Sequence, residues 1–139
     1  MKVVAVAVMI LALLIGIVPM FTDCESHGRM LTLADGRQIS MKCHWTGVAE
    51  LAVSVPLLVV GGLMFFSRRR ESGRTLGTVG TSLGAMVLLL PTALIGVCMS
   101  PDMPCVSLMK PALLLMGALV VVASLGAVAF NWGQEKLAA

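Results

Sequence analysis

Long apolar stretches separated by short polar segments dominate this chain. A helix needs roughly 20 apolar residues to cross a bilayer. Four stretches reach this length, at residues 3–21, 47–66, 76–97 and 111–131. Backbone amides in lipid must be hydrogen-bonded internally, so stretches this long predict helices. The pattern therefore predicts an all-α membrane protein, one domain over residues 1–139, in which two helical hairpins form a four-transmembrane-helix bundle.

The polar segments predict two outer loops, 22–46 and 98–110, and a cytoplasmic loop, 67–75. In the first outer loop, Asp35-Gly36 is a strong two-residue turn signal between short alternating stretches. A small β-hairpin is therefore possible there. An isolated hairpin is only marginally stable, so it needs a disulfide or a partner surface.

Single residues refine the predicted helices. Thr46 is a good N-cap for the second helix. Pro56 and Pro91 should kink the second and third helices, because proline removes a backbone donor. Gly80 and Gly84 have the small-xxx-small spacing that lets membrane helices approach closely.

Composition supports a membrane protein. The chain is 58% hydrophobic and only 12% charged, with a mean hydropathy of +0.99, so it cannot supply the polar surface of a soluble domain. No small-x-small cleavage site follows the first apolar stretch, which ends in Pro19-Met20-Phe21-Thr22-Asp23. We therefore expect an uncleaved first helix.

The arrangement of charge predicts the orientation. The segment between the second and third helices carries Arg68, Arg69, Arg70 and Arg74 against only Glu71, whereas the first outer loop mixes signs. The positive-inside rule then places both termini on the cytoplasmic side of a cytoplasmic-type membrane. We expect these arginines to contact membrane lipids and not to bind nucleic acid.

Four cysteines flank the outer loops, Cys24 and Cys43 around the first and Cys98 and Cys105 around the second. The predicted orientation places them in a compartment that permits disulfides. Four cysteines allow three connectivities. Pairing within each loop, Cys24–Cys43 and Cys98–Cys105, is the first interpretation, because it staples each loop without requiring the loops to meet.

A metal site is the chemically more specific alternative to two structural disulfides. Its candidate ligands in the two loops are Cys43, His44, Cys98, Met99, Met103 and Cys105. Thiolates and thioethers favour copper(I), and Cys and His also suit zinc. Haem ligation by His44 or Met99 and thiol-redox chemistry are further alternatives. The chain lacks the Cys-x-x-Cys pair that thiol-redox chemistry usually needs, and it has no Cys-x-x-Cys-His motif for haem attachment.

Glu50 is the one carboxylate within a predicted span, about one turn below the outer interface. Ionisable groups inside a membrane are costly and are candidates for function. Lys110 or His44 could pair with it. Helix-end amides that satisfy a shallow carboxylate are the structural alternative. The sequence has no nucleotide loop and no credible Ser/His/Asp set, so an enzyme is the less favoured class.

Two motifs carry a family resemblance, Lys-Cys-His-Trp-Thr at 42–46 and Cys-Met-Ser-Pro-Asp-Met-Pro-Cys at 98–105. Together they resemble a family of small bacterial four-helix membrane proteins of unknown function. The resemblance implies an association with ABC transporters of the MacB/FtsX type. The leading hypothesis is therefore a small accessory subunit that binds other membrane subunits or self-associates, with a disulfide-stapled outer cap. The alternative is a metal-binding (copper, zinc or haem) or thiol-redox membrane protein.

Overall fold

Helices form nearly the whole protein. The computed structural model describes residues 2–22, 25, 28, 30–67, 70–100 and 102–138, the side chains of residues 70 and 133–138 excepted. These residues form four long helices: α1 Lys2–Thr22, α2 Lys42–Phe66, α3 Arg70–Leu89 and α4 Lys110–Ala138. Two π-helical segments, Leu90–Leu94 and Cys105–Met109, continue α3 and lead into α4. The predicted all-α four-helix fold is confirmed.

The helices pack as two hairpins. α1 lies chiefly against α2 and α3 chiefly against α4, while α2–α3 and α1–α4 contacts close the bundle. Apolar side chains from all four helices fill its centre, among them Val8, Ile15, Leu57, Val87, Leu113 and Val120. Gly84 lets α3 approach α4, since a Cβ there would lie 2.9 Å from Val121 Cγ2. The close approach predicted from the glycine spacing is therefore present.

The outside of the bundle is apolar as well. Large hydrophobic side chains such as Val55, Leu63, Leu115 and Val122 are exposed along the helices. Four segments are long and apolar enough to cross a membrane: Lys2–Thr22, Lys42–Phe66, Glu71–Leu94 and Cys105–Trp132. An apolar exterior over such helices suits lipid and would be unfavourable in water. These features indicate a multi-pass membrane protein.

The predicted hairpin is present in the first outer loop. Strand β1, Leu31–Thr32, pairs antiparallel with β2, Gln38–Ile39. Gly36 in the connecting turn has a φ of 77°, a conformation that glycine adopts readily. Both strands are exposed on both faces. The hairpin therefore stands clear of the helical core.

The second helix begins earlier than the sequence indicates. α2 starts at Lys42, after Met41 at its N-cap, so Thr46 lies inside the helix and the N-cap predicted there is wrong. α2 then runs through Pro56 to Phe66 as one helix. At Pro91, in contrast, α-helical bonding gives way to the first π-helical segment, where the amides of Ile95 and Gly96 both donate to the Leu90 carbonyl.

Candidate metal centre

Three cysteines meet at one end of the bundle. Cys43 lies in the first turn of α2, Cys98 in the loop after the first π-helical segment, and Cys105 at the start of the second. Their Sγ atoms all lie within 4.8 Å of one another, and those of Cys43 and Cys98 are 3.4 Å apart. We call these three residues the thiol centre. Each helical hairpin contributes to it, because Cys43 belongs to the first half of the chain and the other two to the second.

The early start of α2 positions Cys43. Because the helix already includes Lys42, Cys43 shares one buried face with Thr46 and Glu50, three and seven residues further on. Residues at this spacing lie on the same side of a helix. That side faces the other helices, so the Cys43 thiol points into the bundle and is fully buried.

A side-chain hydrogen bond holds the second loop against α2. The Thr46 hydroxyl donates to the Gly96 carbonyl at 2.6 Å. Gly96 has a φ of 79°, in the left-handed region that glycine tolerates, and it ends the first π-helical segment. Cys98 follows two residues later. The bond between Thr46 and Gly96 therefore fixes the distance between the segments that carry Cys43 and Cys98.

Sulfur and apolar groups surround the thiol centre. Cys43 and Cys105 are fully buried, and Cys98 is partly buried. The thioether residues Met41 and Met103 pack against the same core cluster, which also includes Met109. Thiolates and thioethers are soft ligands that favour Cu(I) and other thiophilic ions. The residue types and their spacing thus suit a soft metal ion.

The structure forms a different thiol arrangement from the predicted staples. No disulfide links any two of Cys43, Cys98 and Cys105, so the predicted Cys98–Cys105 bond is not formed. Cys24, half of the other predicted pair, lies outside the described residues. The 3.4 Å contact between Cys43 and Cys98 crosses from one outer loop to the other. The prediction assumed independent loops, whereas the packing of the two hairpins brings them together.

Two predicted ligands lie away from the thiol centre. His44 Nδ1 is 2.9 Å from Glu25 Oε2, and the His44 ring packs edge-on against Trp45. The Ser40 hydroxyl donates to the same Glu25 oxygen, so His44 belongs to a polar contact on the loop side of α2. Met99 is fully exposed. Met103, by contrast, does pack against the cluster that contains the cysteines.

Glu50 is buried more deeply than its position near the interface indicates. Its side chain is fully buried, and neither carboxyl oxygen has a hydrogen-bond partner among the residues that the structure describes. Among the described residues, Glu50 pairs with neither Lys110 nor His44, the partners that the sequence suggested. No helix-end amide there donates a hydrogen bond to its carboxylate either. Glu50 lies seven residues after Cys43 in α2, which corresponds to about 10 Å along the helix at a rise of about 1.5 Å per residue.

Two comparisons with known proteins give no function, and a third gives a family. A family model described as a domain of unknown function, DUF4418, matches residues 3–130. No curated protein and no solved structure matches the chain at a significant level.

Proposed function

Because the chain belongs to the DUF4418 family, whose description states no activity, we propose a function from the site itself: a small membrane protein that binds Cu(I) at the thiol centre. One observation carries the proposal. Three thiol sulfurs from three separate segments converge within 4.8 Å. A metal site requires several ligand atoms close enough together to bind one ion, and these three sulfurs meet that requirement.

Ligand chemistry favours Cu(I) over zinc and haem. Three thiolates with neighbouring thioethers form a soft environment, and Met41 and Met103 provide the thioethers. Structural zinc almost always takes four protein ligands. His44, the nitrogen ligand expected for zinc or haem, instead contacts Glu25. Cu(I) is satisfied by two or three sulfur ligands, which the thiol centre provides.

Charge supports an extracytoplasmic position for the thiol centre. Lys2 Nζ lies 5.9 Å from the Phe65 ring centre, and the Arg74 guanidinium lies 5.0 Å from that of Trp132. These cations mark the end of the bundle opposite the cysteines. The positive-inside rule favours a cytoplasmic position for this end, and we propose that both termini lie in the cytoplasm. Arg68 and Arg69, on which the prediction also rests, lie outside the described residues.

A Cu(I) titration tests the proposal. The purified chain is reduced in detergent without oxygen and titrated with Cu(I) in competition with a colorimetric chelator. We expect one tightly bound ion per chain, with a sulfur-to-copper charge-transfer band in the ultraviolet. Cys43→Ser, Cys98→Ser and Cys105→Ser should each weaken binding strongly, because each removes one thiolate.

Ala127→Ser is the matched control. It places the same hydroxyl at a buried position in the second core cluster, away from the cysteines. It should fold and bind Cu(I) like the wild type. Absence of stoichiometric binding by the reduced wild type, or wild-type affinity in all three cysteine variants, would refute the metal proposal. Preference for Zn²⁺ over Cu(I) would refute the copper assignment.

A second candidate function is that of an accessory subunit of a membrane complex, possible alongside metal binding. The observation in its favour is the hairpin, on which Leu31, Leu33 and Ile39 are exposed. A two-stranded hairpin with uncovered apolar side chains gains stability from a partner surface. An ABC transporter of the type implied by the sequence resemblance is the proposed partner.

Affinity purification from native membranes in mild detergent tests this candidate. A permease and its ATPase should copurify in stoichiometric amounts. Leu31→Ser with Ile39→Ser should release them, whereas Val55→Ser, a change on the exposed face of α2, should not. Recovery of the wild type alone, or only with further copies of itself, would refute the transporter partnership.

A further inference from the structure

Solvent exposure decreases stepwise from Met99 to Cys98 and then to the two buried cysteines of the thiol centre. Met99 is fully exposed, the adjacent Cys98 is partly buried, and Cys43 and Cys105 are fully buried. Cys98 Sγ lies 3.4 Å from Cys43 Sγ. Met99 and Cys98 are therefore neighbouring residues at the boundary between solvent and the buried part of the centre.

The exposure of Met99 calls for an explanation. Methionine is an apolar residue that usually fills gaps in cores. Met41, Met103 and Met109 all pack in or against the core cluster that contains Cys43 and Cys105. Met99 lies in the second outer loop, as Met103 does, but it does not pack against the core cluster. Its exposed thioether is available to a ligand that approaches from outside.

Thioether chemistry suits an entry step. A thioether binds Cu(I) without losing a proton, whereas a thiol must be deprotonated first. A neutral thioether also holds the ion less tightly than a thiolate. An ion captured at Met99 is therefore drawn onward to a cysteine.

We propose that Met99 is the entry ligand that accepts Cu(I) from a small thiol or thioether complex and passes it to Cys98. This inference rests on the proposed Cu(I) function. On entry, a bond from copper to a sulfur of the donor complex breaks as the bond to the Met99 sulfur forms, and a released thiolate takes up a proton from water. In the transfer that follows, the bond from copper to the Met99 sulfur breaks as a bond to the Cys98 sulfur forms. The Cys98 thiol proton leaves to water, and copper stays in the +1 state. Cys43 and Cys105 then complete the coordination.

Loading kinetics separate this role from that of a resident ligand. Reduced protein is mixed with a Cu(I)–glutathione complex in a stopped-flow instrument, and the charge-transfer band is followed. Met99→Leu keeps the size and apolar character but removes the sulfur. We expect about tenfold slower loading, equal to a barrier higher by about 1.4 kcal/mol, with unchanged equilibrium affinity.

Met86→Leu is the matched control, because Met86 is another exposed methionine, on α3 and far along the chain from the cysteines. It should load at the wild-type rate. If Met99→Leu loads as fast as wild type, or if its equilibrium affinity falls as much as its rate, the entry role is overturned. A wild type that binds no Cu(I) refutes the proposed function itself, so the two failures are distinguishable. Thermal unfolding of both variants confirms that each is folded.

Discussion

Thr46 and Gly96 join the two halves of the protein through one hydrogen bond of 2.6 Å between the threonine hydroxyl and the glycine carbonyl. Thr46 is fully buried and lies three residues after Cys43, while Gly96 lies two residues before Cys98. The bond therefore connects the segments that carry the Cys43 and Cys98 sulfur atoms, which are 3.4 Å apart. Its effect on the thiol centre can be measured separately from its effect on stability.

Thr46→Val should loosen the thiol centre. Valine matches threonine in shape but cannot donate, so the partly buried Gly96 carbonyl loses its partner at a cost of about 0.5–1.5 kcal/mol. Chemical unfolding in detergent should show this loss, and Cu(I) affinity should fall as well. Thr78→Val is the control, since the exposed Thr78 hydroxyl bonds only within its own helix, to the Thr75 carbonyl. Equal effects of the two substitutions would contradict a specific role for Thr46.

Mild oxidation should link the two loops. When the reduced, metal-free protein is treated with diamide, the thiols of Cys43 and Cys98 should form a disulfide, with their two hydrogen atoms passing to diamide. Their 3.4 Å separation favours this pair. Peptide mapping by mass spectrometry identifies the bond, and prior loading with Cu(I) should prevent it. Exclusive recovery of Cys98–Cys105 would restore the within-loop pairing expected from the sequence.

His44→Ala should leave Cu(I) affinity unchanged. The imidazole contacts Glu25 rather than the thiol centre, and both side chains are partly exposed. Partly exposed ion pairs contribute about 0–1 kcal/mol, so the loss of stability should be small. The chelator competition used for the cysteine variants provides the measurement. A drop in affinity comparable to that of Cys98→Ser would make His44 a ligand.

Replacing Glu50 by an apolar residue should stabilise the protein. Both carboxyl oxygens are buried, with no hydrogen-bond partner in the described part of the chain, and an unsatisfied buried polar group costs about 1–3 kcal/mol. Glu50→Met removes the polar atoms at similar length, and thermal unfolding in detergent should shift upward. Leu57→Met, at a fully buried position on the same face of α2, controls for repacking. Lower stability of Glu50→Met would show that Glu50 has a partner in the membrane.

Substitution at Gly84 should separate α3 from α4. A methyl group there would lie 2.9 Å from Val121 Cγ2 and 3.2 Å from the Val121 backbone nitrogen, so the helices must move. Overpacking of this kind typically costs about 1–3 kcal/mol, and Gly84→Ala should lower the unfolding temperature. At Gly126 an added methyl group meets nothing within 4 Å. Gly126→Ala should therefore be neutral or stabilising, and equal destabilisation by both would contradict the close-packing argument.

The helices and the hairpin were predictable because their causes are local. Apolar length specifies the helices, and Asp35-Gly36 specifies the turn. The meeting of Cys43 with Cys98 was not predictable from the loops taken separately. It depends on the packing of α2 against the other hairpin and on the π-helical segment at Pro91, which no single stretch encodes. The spacing of Cys43, Thr46 and Glu50 was a usable signal, since it predicts one helix face once α2 is extended to Lys42.

The separation of 55 residues between Cys43 and Cys98 has a consequence for biogenesis. Each helical hairpin can enter the bilayer independently, with its own backbone hydrogen bonds satisfied. The three sulfur atoms come together only when both hairpins have docked against each other. Acquisition of the ion would then be a late event in maturation, and the bound ion would hold the assembled form against separation of its halves.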